Sequence, residues 1–277
     1  MQKIKRAALL SAAAMSFGLV AGVTSAHATM VQVTVTNTQQ SGGLSLTPVY
    51  FGFHNGNVDL FDVSEAASAG IEEIAETGGF GTLRDERLAQ QTSSVGGVAF
   101  GGGGLIDGPL EPGETTSFTV DLDAIDNRYL FFASMILPSN DSFIGVDDPR
   151  AFDLFDSSGM FRGDQTFSIT SAFAYDAGTE ANDPANGAAF LQPPVNITDG
   201  GPGEGSIQQG VSLGDFTGLA VAGGLSLDPA LIDYISDPNS FVFAEINVSE
   251  VPLPPAMLLM GAGLAGLGFA RRRSAAA

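Results

Sequence analysis

The chain has 277 residues with 31 acidic side chains, 11 basic side chains and no cysteine. Its formal net charge of −20 at pH 7 repels nucleic acid and anionic membrane surfaces, so neither is expected as a direct partner. The lack of cysteine excludes disulfides, thiol nucleophiles and thiolate metal sites. A body of about 220 residues can still bury roughly 70% of its unfolded surface without disulfides. One domain is therefore expected.

The N-terminus has the pattern of an export signal. Lys3, Lys5 and Arg6 precede the apolar run "AALLSAAAMSFGLVAG", and Ala26 and Ala28 give the small-x-small form of a signal peptidase site. We expect a signal peptide over residues 1–28, helical in its apolar part and cut after Ala28. The protein should be exported.

Residues 29–250 alternate short apolar segments with turn-rich spacers. "MVQVTVTNT" alternates valines with polar residues in the two-residue period of a half-buried strand, and "SFVFAEINVSEV" repeats the pattern near the other end. Thirty-six glycines and the regular spacing favour an antiparallel β-sandwich over βα units. The predicted strands cover residues 30–38, 46–54, 115–122, 128–137, 143–146, 167–175 and 240–251.

One short helix is predicted near 68–77. Ser68 can cap its first turn, Ile71 and Ile74 share one face, and Gly78 ends it. A weaker helical pattern covers 228–236, with Asp228 as a cap and Pro229 at the first helical position. Residues 77–105 and 180–210 are predicted to form long surface loops.

An acidic stretch, "SNDSFIGVDDPRAFDLFDSSG" at 139–159, directly follows the predicted buried strand 128–137. Without the two ends, the body keeps five arginines and all 31 acids, a net charge of 5 − 31 = −26. Divalent cations or a saline exterior suit such a charge. From the residues alone, the stretch is compatible with a cation site, catalytic carboxylates or solvated loop acids.

The C-terminus combines three features. A Pro-x-Pro motif precedes a short uncharged helix at about 256–270, and an arginine cluster follows it. This combination resembles the PEP-CTERM sorting signals of Gram-negative bacteria. The resemblance implies transient inner-membrane anchoring, processing by an exosortase-type protease, and delivery of the body to the periplasm, outer surface or matrix. The sorting signal covers residues 251–277, and its expected residues are Val251, Pro252, Pro254, Arg271, Arg272 and Arg273.

Three further stretches carry a second resemblance. They are "HNGNVDLFDVSEAASAGIEEIAETG" at 54–78, "FFASMILPSNDSFIGVDD" at 131–148 and "AYDAGTE" at 174–180. In order and spacing they resemble the spondin N-terminal domain. The resemblance covers about 30–250 and implies a C2-like antiparallel sandwich of about eight strands, with Ca²⁺ at one end and a role in matrix adhesion. Here the motif that closes with aspartate in the family closes with Glu180.

The resemblance also implies the ligands of the cation. By position they are Asp141, Asp176 and Glu180, with Asn140 and Asp147 as further neighbours. Calcium takes six to eight oxygen ligands, and sandwich-end loops can bring carboxylates together from distant strands.

Enzymatic alternatives have few residues to use. A carboxylate-dependent glycosidase needs aromatic platforms, and the chain has no tryptophan and four tyrosines. His54 is the only histidine of the body, too few for a zinc site and the only base that a Ser-His-Asp arrangement could use. Arg162-Gly163-Asp164 spells the tripeptide that animal integrins bind, which chance explains in a Gly/Asp-rich chain.

These observations together predict a non-enzymatic, exported, calcium-binding adhesion module of a Gram-negative surface or exopolysaccharide matrix. Its expected partners are an extracellular polysaccharide or a surface protein. The alternatives are a polysaccharide-binding module of the biofilm matrix, with calcium bridging its acids to acidic sugars, and a carboxylate-dependent hydrolase.

Overall fold

A computed structural model describes residues 28–102, 108–192, 201–210, 213–221, 225–234 and 241–252. The expected signal helix, the C-terminal membrane helix at 256–270 and the arginine cluster lie outside these residues. Within them, no helix is long and apolar enough to cross a membrane.

The described residues are mostly β, in antiparallel strands. Seven strands have five or more residues, and the others are short pairings near loops. The strands are β1 Thr29–Asn37, β2 Ser45–Leu46, β3 Val49–His54, β4 Val95–Ala99, β5 Thr115–Leu122, β6 Tyr129–Leu137, β7 Ser142–Ile144, β8 Gln165–Thr170, β9 Ala174–Asp176, β10 Leu191–Gln192, β11 Gln208–Gln209, β12 Ala220–Val221 and β13 Val242–Glu250.

Two main sheets form the sandwich. A four-stranded sheet has the order β5-β1-β13-β8, and a seven-stranded sheet has the order β11-β9-β7-β6-β3-β4, with β2 also paired to β6. The first and last strands of the body are neighbours, with Val33 opposite Val248. The chain termini of the domain therefore meet in the middle of one sheet, and the predicted antiparallel sandwich is confirmed.

The alternating strands turn their apolar side chains toward the other sheet. Val31, Val33 and Val35 of β1 are fully buried, while residues between them are exposed or half-buried. Phe51 of β3 stacks on Phe118 of β5 at a centroid distance of 3.7 Å, which joins the sheets directly. This interleaving of apolar side chains is the main source of stability.

Strand β6 is buried on both faces, because one face meets the other sheet and helix α1, Ala69–Thr77, packs on the other. The helix confirms the prediction for 68–77: the Ser68 hydroxyl accepts the Ile71 N–H at 3.2 Å, and Gly78 ends it at φ 71°. The continuous apolar run "YLFFASMIL" thus reflects burial from two sides.

The predicted loop at 77–105 is wrong, because it contains helix α2, Gly81–Gln90, and strand β4. In α2 only Leu83 and Arg87 are buried, too narrow an apolar stripe to give a helical period. The start of α2 has no side-chain cap of its own, and the Glu73 carboxylate of α1 accepts the Thr82 N–H at 2.7 Å. The signal for this helix therefore lies in its partner.

Three other segments are shorter or more divided than predicted. Residues 167–175 form two strands in different sheets, since the 3₁₀ turn Ser171–Phe173 separates β8 from β9. Residues 46–54 divide into β2 and β3 around Pro48, which cannot donate to a ladder. The helix predicted at 228–236 is a 3₁₀ turn at Pro229–Leu231, in the described part of that segment.

Candidate functional site

Two aspartates meet at one end of the seven-stranded sheet. Asp141 ends the turn between β6 and β7, and Asp176 is the last residue of β9. Strands β7 and β9 pair with Ser142 opposite Asp176, so the two aspartates are neighbours across the ladder. Both are buried, with 0% and 1% of their surface exposed. Two acidic groups so deeply buried side by side require a chemical explanation.

The turn that carries Asp141 is closed by Ser139. The Ser139 hydroxyl donates to the Ile136 carbonyl at 2.7 Å and accepts the Ser142 N–H at 3.1 Å. The Asp141 carbonyl in turn accepts the Ala177 N–H at 3.1 Å, which ties the turn to the end of β9. These short-range bonds fix the backbone on both sides of the acidic pair.

One oxygen of the Asp141 carboxylate is fully used and the other has no partner. Oδ2 accepts the N–H groups of Thr179 at 2.9 Å and Glu180 at 3.0 Å, and lies 3.4 Å from the Thr179 hydroxyl. Oδ1 is buried and has no hydrogen-bond partner among the residues that the structure describes. A buried carboxylate oxygen without a donor is costly, and either a proton or a cation would satisfy it.

Asp176 is held by two donors from the loop that follows it. Its carboxylate accepts the Gly178 N–H at 2.9 Å and the Asn182 Nδ2 at 2.7 Å. Burial, and then the charge of Asp141, raise the pKa of Asp176 to about 7. Burial also raises the pKa of Asp141, against the hydrogen bonds that its ionised form accepts. A proton shared by the pair, or a bound cation, would reduce the repulsion between the two carboxylates.

No arginine neutralises the pair among the described residues. The ion pairs there join Arg84 to Asp85 and Asp153 to Arg128 and Arg162. The charge of the exposed Glu204 instead adds to the negative field and raises the pKa of both Asp141 and Asp176. Within the described ranges, no three His, Cys, Asp or Glu side chains are gathered closely enough to form a metal-binding group. Any cation held here would need neutral oxygens beside the two carboxylates.

Two other predicted ligands, Glu180 and Asn140, make their contacts beside this pair. Glu180 contributes its backbone N–H to Asp141. Burial, and then the charge of Glu180, raise the pKa of Glu76 on α1. Asn140 is buried, and its amide donates to the Asn186 carbonyl at 2.6 Å and accepts the Asp183 N–H at 3.1 Å. Asn140 thus fastens the 182–186 loop beside the pair.

Asp147 belongs to a different group of acids. Its carboxylate accepts the Val63 N–H at 3.2 Å. After burial, the charges of Asp62, Asp147 and Asp148 raise the pKa of Asp59, which places these four acids near one another. Strand β7 lies between Asp141 and Asp147, as the strand predicted at 143–146 indicates, and the two aspartates fall in different groups.

Several contributors to the site were not predicted. Asn182 contacts Asp176 directly, and the buried Tyr234 hydroxyl hydrogen-bonds Ser142 and feels the charges of Asp176 and Asp141. Burial raises the pKa of Tyr234, so the phenol stays neutral. Tyr234 lies more than 50 residues from either aspartate in the chain, and no motif or period in the sequence connects it to them.

The loop that carries Glu204 packs on the glycine of "DAGTE". Gly178 has φ +68°, and a Cβ there would lie 2.3 Å from the Ser206 carbonyl oxygen. The Gly178 carbonyl accepts the Gly205 N–H at 2.8 Å. A glycine is required at 178 because the left-handed backbone and the close loop both exclude a side chain.

The family model Spondin_N matches residues 40–198, more than half of the chain. The chain belongs to the Spondin_N family. The matched region contains Asp141, Asp176 and Glu180 together with β2 to β10. The Spondin_N resemblance predicted from the three short stretches is therefore confirmed, while β1 and β13, which complete the four-stranded sheet, lie outside 40–198. No curated protein matches the chain.

The predicted processing residues of this Spondin_N protein mostly lie outside the described residues. Ala26, Pro254 and the three arginines at 271–273 are among them, whereas Ala28 is exposed at the start of the described body. At the other end, the Val251 N–H donates to the Met30 carbonyl at 2.9 Å, and Pro252 is the last residue described. Both predicted cleavage regions therefore adjoin the ends of the β1–β13 pair.

Proposed function

We propose that this protein is an exported, non-enzymatic adhesion module whose sandwich end is set by a bound calcium ion. Membership of the Spondin_N family supports an extracellular matrix or adhesion role. The observation that carries the calcium proposal is the buried Asp141–Asp176 pair, in which Asp141 Oδ1 lacks any donor. The donor chemistry is hard oxygen throughout, which suits Ca²⁺.

Asp141 and Asp176 would hold the ion through their carboxylates. Neutral side chains lie beside them: the Thr179 hydroxyl is 3.4 Å from Asp141, and the Asn182 amide donates to Asp176 at 2.7 Å and lies 3.5 Å from the Ser142 hydroxyl. Glu180 and Glu204 lie on the two loops beside the pair, and their negative charges add long-range attraction for a cation. When bound, the ion supplies the positive charge that the described residues around the pair do not.

The consequence of binding is a fixed loop surface. Residues 178–186 are tied to the pair through Gly178, Thr179, Glu180 and Asn182, and residues 203–206 rest on Gly178. Repulsion between two ionised carboxylates loosens these ties, and a cation removes that repulsion. A preorganised surface binds its partner with a smaller loss of conformational entropy.

Burial supports a structural role for the carboxylates over a catalytic one. A glycosidase needs an acid and a base or nucleophile that reach the sugar, and Asp141 and Asp176 expose 0% and 1% of their surface. His54 is also buried, and its pKa is lowered to about 4 by burial and then by Arg87, so it is neutral at physiological pH. These features favour a binding module over a hydrolase.

The proposal extends to delivery and partner. The signal-peptide pattern at 1–28 and the PEP-CTERM pattern at 251–277 support export by a Gram-negative bacterium, inner-membrane tethering and processing by an exosortase-type protease. An extracellular polysaccharide or a surface protein of the producing cell is the proposed partner. A polysaccharide would be bridged to the acidic loops by calcium.

Binding to the producer's own extracellular matrix tests this function. We expect the purified protein to bind immobilised matrix in calcium and to be released by a chelator, while the Asp141→Asn/Asp176→Asn variant binds weakly in both. Asp121→Asn on the exposed face of β5 is the matched control and should behave as wild type. Binding that persists unchanged in chelator would contradict the proposal. Digestion of the matrix with glycosidases or proteases distinguishes a polysaccharide partner from a protein partner.

A further inference from the structure

Strand β8 is an unprotected edge of the four-stranded sheet. It is the last strand in the order β5-β1-β13-β8, and no other described strand pairs with its outer side. Its sequence, QTFSIT, contains no charge, proline or glycine. Natural proteins usually protect an edge with charges, proline or a bulge in that strand. The lack of these features is unusual in a chain with 31 acids.

The remaining sheet edges differ from β8. Strand β5, at the opposite edge of the same sheet, carries Asp121. In the seven-stranded sheet, the edge strand β4 has the sequence VGGVA, in which two glycines weaken pairing, and β11 has two residues. Strand β8 is thus the described edge best suited to accept another strand.

The direction of the backbone groups of β8 follows from its contacts with β13. The Val251 N–H donates to the Met30 carbonyl at 2.9 Å, so the backbone groups of odd-numbered residues at the end of β13 point toward β1 and those of even-numbered residues toward β8. Ile246 is opposite Phe167 and Val248 is opposite Gln165, so the backbone groups of these odd-numbered β8 residues point toward β13. Backbone groups alternate along a strand. The N–H and C=O groups of Thr166 and Ser168 therefore point away from the sheet.

The side chains of β8 determine which register of a β8–β8 pair keeps the polar residues on the outer face and the apolar residues on the inner face. Thr166 and Ser168 are exposed on the outer face, whereas Ile169 is buried and Phe167 contacts the Phe152 ring at 4.9 Å. In an antiparallel pair, opposite residues share a face. Two copies of β8 can satisfy this rule with Thr166 of one opposite Ser168 of the other, and Phe167 opposite itself. Asp164 then lies opposite Thr170, so no acid faces an acid.

We propose that β8 is a self-association edge, through which two copies of the chain join their four-stranded sheets into one continuous eight-stranded sheet. The two Thr166–Ser168 pairs exchange four backbone hydrogen bonds. The contact is small compared with stable interfaces of about 1,200 Å² or more, so the dimer should dissociate on dilution. The net charge of −20 opposes association, and salt should promote it by screening.

Cysteine cross-linking tests the register, because the chain has no cysteine of its own. We expect the Thr166→Cys/Ser168→Cys variant to form a covalent dimer under mild oxidation, since opposite residues in such a pair lie about 5.5 Å apart at Cα, within disulfide range. Ser117→Cys/Thr119→Cys on the exposed face of β5 is the matched control and should stay monomeric. Equal cross-linking of the two variants, or none in the β8 variant, would overturn the proposal.

Sedimentation equilibrium of the purified protein in chelator tests the association without the cation site. Wild type should show twice the monomer mass at about 1 M salt and monomer at about 0.01 M, where the Debye length is about 30 Å. Ser168→Pro removes an N–H that points away from β13 and should give monomer at both salts with an unchanged Tm. If Ser168→Pro lowers the Tm, Ser168→Glu serves in its place, because it brings a negative charge from each copy close together on the outer face of the β8–β8 pair. A wild type that is monomeric at both salts, or variants that dimerise as wild type does, would refute self-association through β8.

Discussion

Asp176 and Asp153 are two aspartates of one sandwich whose pKa values shift in opposite directions. Asp176 is buried next to Asp141 without an arginine, and its pKa rises to about 7. Burial alone would also raise the pKa of Asp153, but hydrogen bonds from Arg128, the Phe155 N–H and Arg162 lower it below its usual value. Burial with an acidic neighbour raises the pKa of Asp176, while arginine neighbours lower that of Asp153, so the density of acids in the sequence does not decide the direction.

The comparison also explains the acidic stretch 139–159. Asp153 forms ion pairs with Arg128 at 2.7 Å and Arg162 at 3.3 Å. The arginine of the Arg162-Gly163-Asp164 tripeptide is therefore already paired within the chain. Asp156 accepts hydrogen bonds from the 158–160 turn, with its pKa lowered by the Ser158 hydroxyl. Asp141 is the member of the stretch that is buried and has no donor on one oxygen.

The largest effect is expected at Gly178. Gly178→Ala should lower the free energy of unfolding by about 2–4 kcal/mol, since the left-handed backbone disfavours a Cβ and the 203–206 loop leaves no space for it. Gly205→Ala is the control: its φ is +82° but nothing lies within 4 Å, so it should cost about 1 kcal/mol. Urea unfolding measures both. Equal losses would show that the loop contact at Gly178 does not constrain the site.

The two regions should differ in their pH dependence. The folded pKa of Asp176 lies above the usual value of an aspartate, so its proton stabilises the fold below about pH 4, and this contribution is lost as the pH rises toward 7. In chelator, the free energy of unfolding of wild type should fall by about 2 kcal/mol more than that of Asp176→Asn between about pH 4 and pH 7. One titrating group can change this free energy by at most about 1.4 kcal/mol per pH unit, so the expected loss is within the limit. Urea unfolding at several pH values measures the difference, with Asp121→Asn as control. Parallel pH profiles for wild type and Asp176→Asn would contradict the shift.

A smaller effect of opposite sign is expected at Asp153. Its folded pKa is lowered, so its contribution is present above the unfolded pKa and is lost as the pH falls through the folded pKa. Arg128→Met should cost about 1 kcal/mol at neutral pH and less in acid, because the pair is partly exposed. Arg84→Met removes a more exposed pair, at 50% and 68%, and should change the Tm little. An equal loss in both variants would argue against a special role for the Asp153 cluster.

The sequence predicted the parts of the fold whose residues carry a local pattern. The alternating valines of β1 and the Ser68 and Gly78 caps of α1 gave the correct elements. Helix α2 was missed because it is stabilised by Glu73 of α1 and by a buried Arg87 that contacts the Tyr50 hydroxyl at 2.7 Å. Such tertiary contacts leave no periodic signal in the sequence.

For the site, the family resemblance placed Asp141 and Asp176, whose proximity depends on the pairing of β7 with β9. Composition alone could not separate Asp141 from Asp147, which lies on the same short stretch but accepts the Val63 N–H. Asn182 and Tyr234 reach the pair from loops whose position only the complete fold determines.

A calcium titration of thermal stability tests the central claim that the Asp141–Asp176 pair binds a divalent cation. We predict that the Tm of wild type rises with Ca²⁺ at about 10⁻⁴ to 10⁻³ M, the usual range of extracellular modules, and that Asp141→Asn/Asp176→Asn does not respond. Without calcium at pH 8, Asp176→Asn should be at least as stable as wild type, because it removes a buried charge. A wild type that shows no response up to about 10⁻² M Ca²⁺, or a double variant that responds as wild type does, would contradict the account.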